Sequence, residues 1–266
     1  MTFWEHIDEF RKALVYPLIV LALFTIVAFL LKEPVFDILL APNSPDFVTY
    51  RIAPGYEYSG SSDHVILNLI STELSAQFLM HMKVSFYVGL IFTLPYFFYK
   101  LFRYVSPGLY ERERRYSAQV VIFSFVSFIA GIMMNYFIIF PFSLRFLAGY
   151  QVSTQVNNMI TIGSYMGTLI SLSIAMGVCF ELPVMAWLLS KLGLLKSAFL
   201  KKYRKHAVIA ILVVSAIITP TTDAFTLLLV SIPIGLLYEL SVIITKVSER
   251  KRESVPINLG AQFSNK

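Results

Sequence analysis

The stretch ALVYPLIVLALFTIVAFLL, residues 13–31, runs nineteen residues without a charged side chain. As a helix rising about 1.5 Å per residue it nearly spans the roughly 30 Å hydrocarbon core of a bilayer. Glu5, Asp8 and Glu9 precede it and no small-x-small cleavage site follows. It is therefore expected to remain as a first membrane span rather than leave as a secretory leader. The whole chain agrees with this start: 57% of its 266 residues are hydrophobic, 14% are charged, and the mean hydropathy is +0.70. Globular chains carry about 25% charged residues, so this one lacks the polar surface to face water on all sides. That excludes a soluble catalyst. The 23 Phe and 15 Tyr suit lipid-facing surfaces and interfacial belts.

Working outward, residues 2–12 read as a short amphipathic helix on the membrane surface. Thr2 and Glu5 match a capping box, and Phe3, Ile7, Phe10 and Leu14 recur at helical spacing. Residues 32–71 read as a long polar loop punctuated by Pro34, Pro42, Pro45 and Pro54-Gly55. A second helix is predicted over 73–102, a short charged loop over 103–116, and a third span with Pro141 over 117–147. A connector at 148–158 leads to a fourth span at 160–190, which contains Glu181 and Pro183. After a basic loop at 191–206 comes an apolar run of only twelve residues, 207–218, then a turn at 220–223 and a last span at 224–245. The polar tail from Lys246 is expected to be disordered. The predicted fold is all-α: one polytopic domain over 1–266, with a surface helix at 1–12, a six-helix bundle at 13–245 and a tail at 246–266.

Charge sets the orientation. Segments 1–12, 100–116, 191–206 and 246–266 hold 2, 5, 6 and 5 Lys or Arg residues, that is 18 of the 22. The intervening loops hold few. By the positive-inside rule both termini and both basic loops are expected in the cytoplasm. The net charge of +6 is thereby a topological signal, and no nucleic-acid partner is implied. Cys179 is the only cysteine and the four histidines are scattered, so no disulfide, metal site or cofactor is expected. No repeat of 20–50 residues is visible.

Several segments then line up in order: His6-Ile7-Asp8-Glu9-Phe10-Arg11; Ser106-Pro107-Gly108-Leu109-Tyr110 followed by Glu113-Arg114-Arg115; Phe180-Glu181-Leu182-Pro183; Thr219-Pro220 to Asp223; then Ile232-Pro233 and Tyr238-Glu239. This set resembles the TatC family, the signal-receptor subunit of the twin-arginine protein translocase, over almost the whole chain. Two departures stand out: Tyr104 occupies a place where the family often has Phe, and the turn before Asp223 is one residue longer than in some relatives. The resemblance implies binding of twin-arginine signal peptides of folded cargo, with export driven by the proton-motive force across the bacterial inner membrane. It implies TatA- and TatB-like single-span partners, several copies of the chain in the receptor complex, and no catalysis. Carried onto matching positions, it assigns signal-peptide binding to Glu9, Arg11, Tyr104, Glu113, Arg114 and Arg115, and contact with a partner helix to Glu181. Two guanidinium groups on a peptide call for carboxylates that they can grip bidentately, which suits Glu9 and Glu113. Glu111 is an alternative to Glu113, and without the resemblance Glu9 and Glu113 would pass for ordinary surface charges.

Pro107 and Gly108 are expected to end the second helix, and Pro183, Pro220 and Pro233 to shape the later ones. Glu181 is the most informative residue, because a carboxylate among Val178, Phe180, Leu182 and Val184 must be paired, protonated or hydrated. A packing contact to a hydroxyl on another span is the plain alternative to a partner site. Met80-His81-Met82 reads as packing, Glu239 as a hydrated charge, and Lys83 as snorkelling to the far surface. A six-helix proton-coupled transporter of a small solute is the competing function. It would need a polar pathway from several spans, and Glu181 is nearly alone.

Overall fold

A computed structural model describes residues 3–52, 68–105, 111–150, 153, 158–191, 193–220 and 223–253, with side chains except at 3–10, 12–13, 101–119 and 251–253. The first helix, α1 (Phe3–Leu30), is continuous. The separate surface helix expected at 2–12 is thus the first part of the span itself, since no turn-forming residue interrupts the pattern there. After it the chain bends by 84°.

The expected loop at 32–71 is largely helical in its first half: α2 (Lys32–Leu40), a 3-10 turn (Ala41–Asn43) and α3 (Val48–Ile52). The prolines that suggested a loop occupy first turns. Pro34 is the third residue of α2 and Pro42 the second of the 3-10 turn, where a missing N–H removes no bond. This segment caps one end of the bundle, burying Leu39, Pro42 and Phe47. Aromatic hydroxyls hold it down: Tyr165 donates to Leu39 O at 3.1 Å, Tyr50 to Pro42 O at 3.0 Å and Tyr136 to Ile38 O at 2.5 Å. The Arg145 guanidinium lies 3.3 Å from the Tyr50 ring centroid.

The second span is α4 (Ala76–Val105). The third comprises α5 (Glu111–Met134), a π-helical turn (Asn135–Ile139) and α6 (Phe140–Gly149). The loop expected at 103–116 therefore shrinks, with helix described on both sides of 106–110. Pro141 cannot offer an N–H to the Phe137 carbonyl four residues back, and that carbonyl instead accepts from the Thr49 hydroxyl of α3. The fourth span is α7 (Ile162–Phe180) and α8 (Leu182–Lys191), with Thr161 capping α7 by accepting from Ser164 N at 3.1 Å. The basic loop holds α9 (Ser197–Lys202), and α10 (Arg204–Ile218) is the short fifth helix. The last helix, α11 (Ala224–Glu253), runs past Thr245, where disorder was expected.

Glycines set the closest approaches. A Cβ on Gly89 of α4 would lie 2.5 Å from Thr25 Oγ1 of α1, and one on Gly131 of α5 would lie 2.5 Å from Met176 O of α7. Such contacts between backbones are how helices gain packing where lipid supplies no hydrophobic drive. Two buried clusters hold the bundle: Phe140, Tyr165, Met166 and Leu169 with Met80 and Val84, then Leu172 and Met176 with Val230 and Ile234. Hydroxyls in the spans bond back to their own helix, as Ser85 does to His81 O (2.7 Å), Thr93 to Gly89 O (2.7 Å) and Thr245 to Ser241 O (2.8 Å). Outward faces are apolar, with Leu18, Leu23, Val208, Ile209 and Ile232 exposed. Among the described residues four helices are long and apolar enough to cross a membrane, and the bent α1–α2/α3 segment, taken as one span, makes a fifth. The sixth, α10, has 15 residues and a length of about 22 Å.

Candidate functional site

Two regions gather the residues singled out in the sequence. The first is the bundle end that holds the N-terminus. Lys100 Nζ lies 4.9 Å from the Tyr16 ring centroid, Phe24 stacks on Phe92 at 5.7 Å, and Phe29 on His81 at 4.0 Å. These pairs make α1 and α4 antiparallel. Continued to the helix ends, the register sets the backbone of Glu9 and Arg11 level with the last turn of α4, which holds Tyr104. Glu113, Arg114 and Arg115 lie in the first two turns of α5, just across segment 106–110. Arg11 is exposed. The side chains of Glu9, Tyr104, Glu113, Arg114 and Arg115, and all of Pro107 and Gly108, lie outside the described residues.

The second region is the break in the fourth span. Pro183 denies an N–H to the Cys179 carbonyl, and the helix interrupts at Glu181 before resuming as α8. The carboxyl of Glu181 is half-buried and turned toward α5, where Ser124 Oγ donates to its Oε2 at 2.5 Å. Its Oε1 is buried without a hydrogen bond. One turn on, Ser127 Oγ of α5 donates to the Phe180 carbonyl. Two serines three residues apart thus serve the break from one face of α5. Around this polar point the surface is apolar and exposed, with Val178, Leu182 and Met185 on the fourth span and Phe123, which packs on Trp187, on α5.

The serines were the residues that sequence reasoning missed, although two hydroxyls at i and i+3 in an apolar helix are a visible signal. The hydroxyl contact offered as the plain alternative for Glu181 is present, and it uses one of the two carboxyl oxygens. Pro183 is buried beside the break, Pro220 is exposed in the turn after α10, and Pro233 is buried within an uninterrupted α11. Asp223 caps α11, its Oδ2 accepting from Thr226 N at 2.6 Å. Glu239, expected to be merely hydrated, pairs with Arg204 at 2.7 Å. His81 packs, as expected, its Nε2 lying 3.0 Å from Phe29 O.

A family model described as Sec-independent protein translocase protein (TatC) matches residues 5–233. The chain belongs to the TatC family. A TatC from Blattabacterium sp. subsp. Periplaneta americana is 32% identical over 260 residues, covering 95% of this chain and 97% of that one. TatCy of Bacillus subtilis is 32% identical over 253 residues, covering 95% and 92% respectively. A solved crystal structure of the twin arginine translocase receptor TatC superposes with a TM-score of 0.73 at 28% identity, covering 91% of this chain and 99% of that one. The architecture is accordingly the TatC fold, a multi-pass helical membrane protein of the translocase. The same likeness decides against a small-solute transporter.

Proposed function

We propose that this chain is the signal-receptor subunit of a twin-arginine translocase, lying in the bacterial cytoplasmic membrane with both termini in the cytoplasm. Glu9 and Glu113 pair with the two arginines of a signal peptide, with Arg11, Tyr104, Arg114 and Arg115 shaping the surrounding surface. The Glu181 break receives the membrane helix of TatA- and TatB-like proteins, and several copies of the chain assemble in the receptor complex. Export of folded cargo then draws on the proton-motive force. No catalytic step is assigned to any residue. The observation that supports this reading most is the antiparallel register of α1 and α4, because it brings the N-terminal motif level with Tyr104 and near the start of α5. Clustering of Lys and Arg on alternate loops supports the orientation. A twin-arginine signal peptide carrying a photo-crosslinker beside its arginines should label residues 3–12 or 103–116. Labelling no greater than that of a twin-lysine control would overturn the receptor assignment.

A further inference from the structure

Lys83 has no part in either region. It lies within the apolar span Ala76–Lys100, about 10 Å along the axis from its start. At i−4 and i+3 it is flanked by the exposed Leu79 and Phe86, which share its face. A lysine within a membrane helix is costly unless paired or drawn to the interface. Yet its ammonium makes no ion pair or hydrogen bond among the described residues. It does line a pocket of about 140 Å³ between the starting ends of α4 and α7, together with Glu73, Thr72 and Thr161. Glu73 is likewise without an ion pair, so two opposite charges line one pocket and do not meet.

The pocket is firmly built. Ile70 N donates to Ile160 O and Ile162 N to Ile70 O, both at 3.0 Å, which ties the segment before α4 to the start of α7. Thr161 Oγ1 accepts from Ser164 N, which leaves the hydroxyl proton available to an acceptor in the pocket. A cation and a carboxylate set apart in a small pocket, at the margin of an apolar surface, match a ligand with a phosphate, a primary amine on a short linker and an apolar anchor. We propose that this pocket binds the headgroup of phosphatidylethanolamine from the leaflet at the starting end of α4. Lys83 and Thr161 donate to phosphate oxygens, Glu73 accepts from the lipid ammonium, and an acyl chain lies along Leu79 and Phe86. The ammonium has three N–H donors for Glu73, whereas the trimethylated ammonium of phosphatidylcholine has none. Phosphatidylglycerol brings no cation to Glu73 at all.

Native mass spectrometry of the full chain, titrated with the three lipids of matched acyl chains, tests this. Phosphatidylethanolamine should bind about tenfold tighter than the other two, the worth of one charge-assisted hydrogen bond. Glu73→Gln should erase its advantage over phosphatidylcholine, while Lys83→Gln should weaken all three and Lys83→Arg restore them. Equal binding of phosphatidylethanolamine and phosphatidylcholine to the unaltered chain would overturn the proposal, as would an advantage that survives Glu73→Gln. Displacement by an equal concentration of soluble phosphoethanolamine would overturn the lipid assignment in favour of a soluble ligand. Glu73 is exposed and outside the helix, so its arm decides even where a Lys83 variant cannot be recovered.

Discussion

At Glu181 a single carboxyl serves two neighbours, one inside the chain and one proposed outside it. Ser124 occupies Oε2, and the unbonded Oε1 is buried, so an incoming helix would meet it only once the side chain turns outward. A hydrogen bond of this kind is worth about 0.6–2 kcal/mol in membranes, which suits reversible docking. Glu181→Gln keeps the shape and a donor and should retain partial transport. Glu181→Ala should lose crosslinks from the fourth span to TatA- and TatB-like helices, and lose export, while still binding signal peptides. Unchanged crosslinks and normal export in the Ala variant would leave Glu181 a packing residue. At the other end, Glu9→Ala and Glu113→Ala should each weaken twin-arginine binding by about 1.5–3 kcal/mol, the range for hydrogen bonds to charged groups. Binding should also fall with rising salt, because ions screen attraction between charges at a membrane surface. Titrating a fluorescent signal peptide against both variants in low and high salt measures this. Glycine positions make a third residue-scale case. Gly131→Ala presses a methyl against the backbone of Met176, which cannot rotate away, whereas Gly177→Ala meets only the Phe128 ring. Overpacking costs about 1–3 kcal/mol, and Gly131→Ala should show the larger fall in thermal midpoint in detergent.

Among the elements, α10 and α9 depart most from ordinary spans. With 15 residues and Arg204, Lys205 and His206 in its first turn, α10 offers an apolar length of about 18 Å against roughly 30 Å of hydrocarbon. The bilayer beside it should thin, and lipid density of uniform thickness around α10 and α11 in a cryo-EM map would count against this. Helix α9 is stapled to the end of α11: Glu249 accepts from Ser197 N at 2.9 Å and from Ser197 Oγ, while the Tyr238 hydroxyl donates to Leu200 O at 2.7 Å. A carboxylate from a distant helix thus fills the role of an N-cap, since Lys196 at the cap position has no side chain that accepts. Glu249→Ala should free α9, seen as faster proteolysis between Lys196 and Tyr203 with insertion unaffected. The staple also explains why a tail read as disordered from Lys246 is helical to Glu253. Its composition is polar, but Glu249 bonds Ser197 in the basic loop, a long-range contact that local composition does not encode.

Across the whole molecule, spans and their order were legible because nineteen charge-free residues have few other readings. The Glu181 break was legible from Pro183. The cap at 32–52 was not, because Pro34 and Pro42 serve a first turn as readily as a loop, and only the tertiary bonds of Tyr50 and Tyr165 tell the two apart. Likewise the proposed receptor face draws on residues of α1, α4 and α5 through an antiparallel register that no local pattern states. Sidedness is testable on the intact fold. Cysteines replacing exposed Met159 and Leu194, in a Cys179→Ala background, should react with an impermeant thiol reagent from outside the cell and only after lysis, respectively. The reverse pattern would invert the topology. The π-helical turn at Asn135–Ile139 matters at this scale too. A π turn holds one residue more than an α turn, so it works as a phase shifter inside the third span. Deleting one residue there would leave the two ends in phase, but winding the same residues into a regular α-helix would rotate everything beyond the turn by about 100°, the angle per residue of an α-helix. Phe140 would swing away from Tyr165 and Phe146 away from Phe225, rings now 5.0 and 4.1 Å apart. The π turn therefore lets the two ends of one span, whose apolar patterns are a residue out of step, face the same core, and a regular helix of the same residues would have to choose which end to pack.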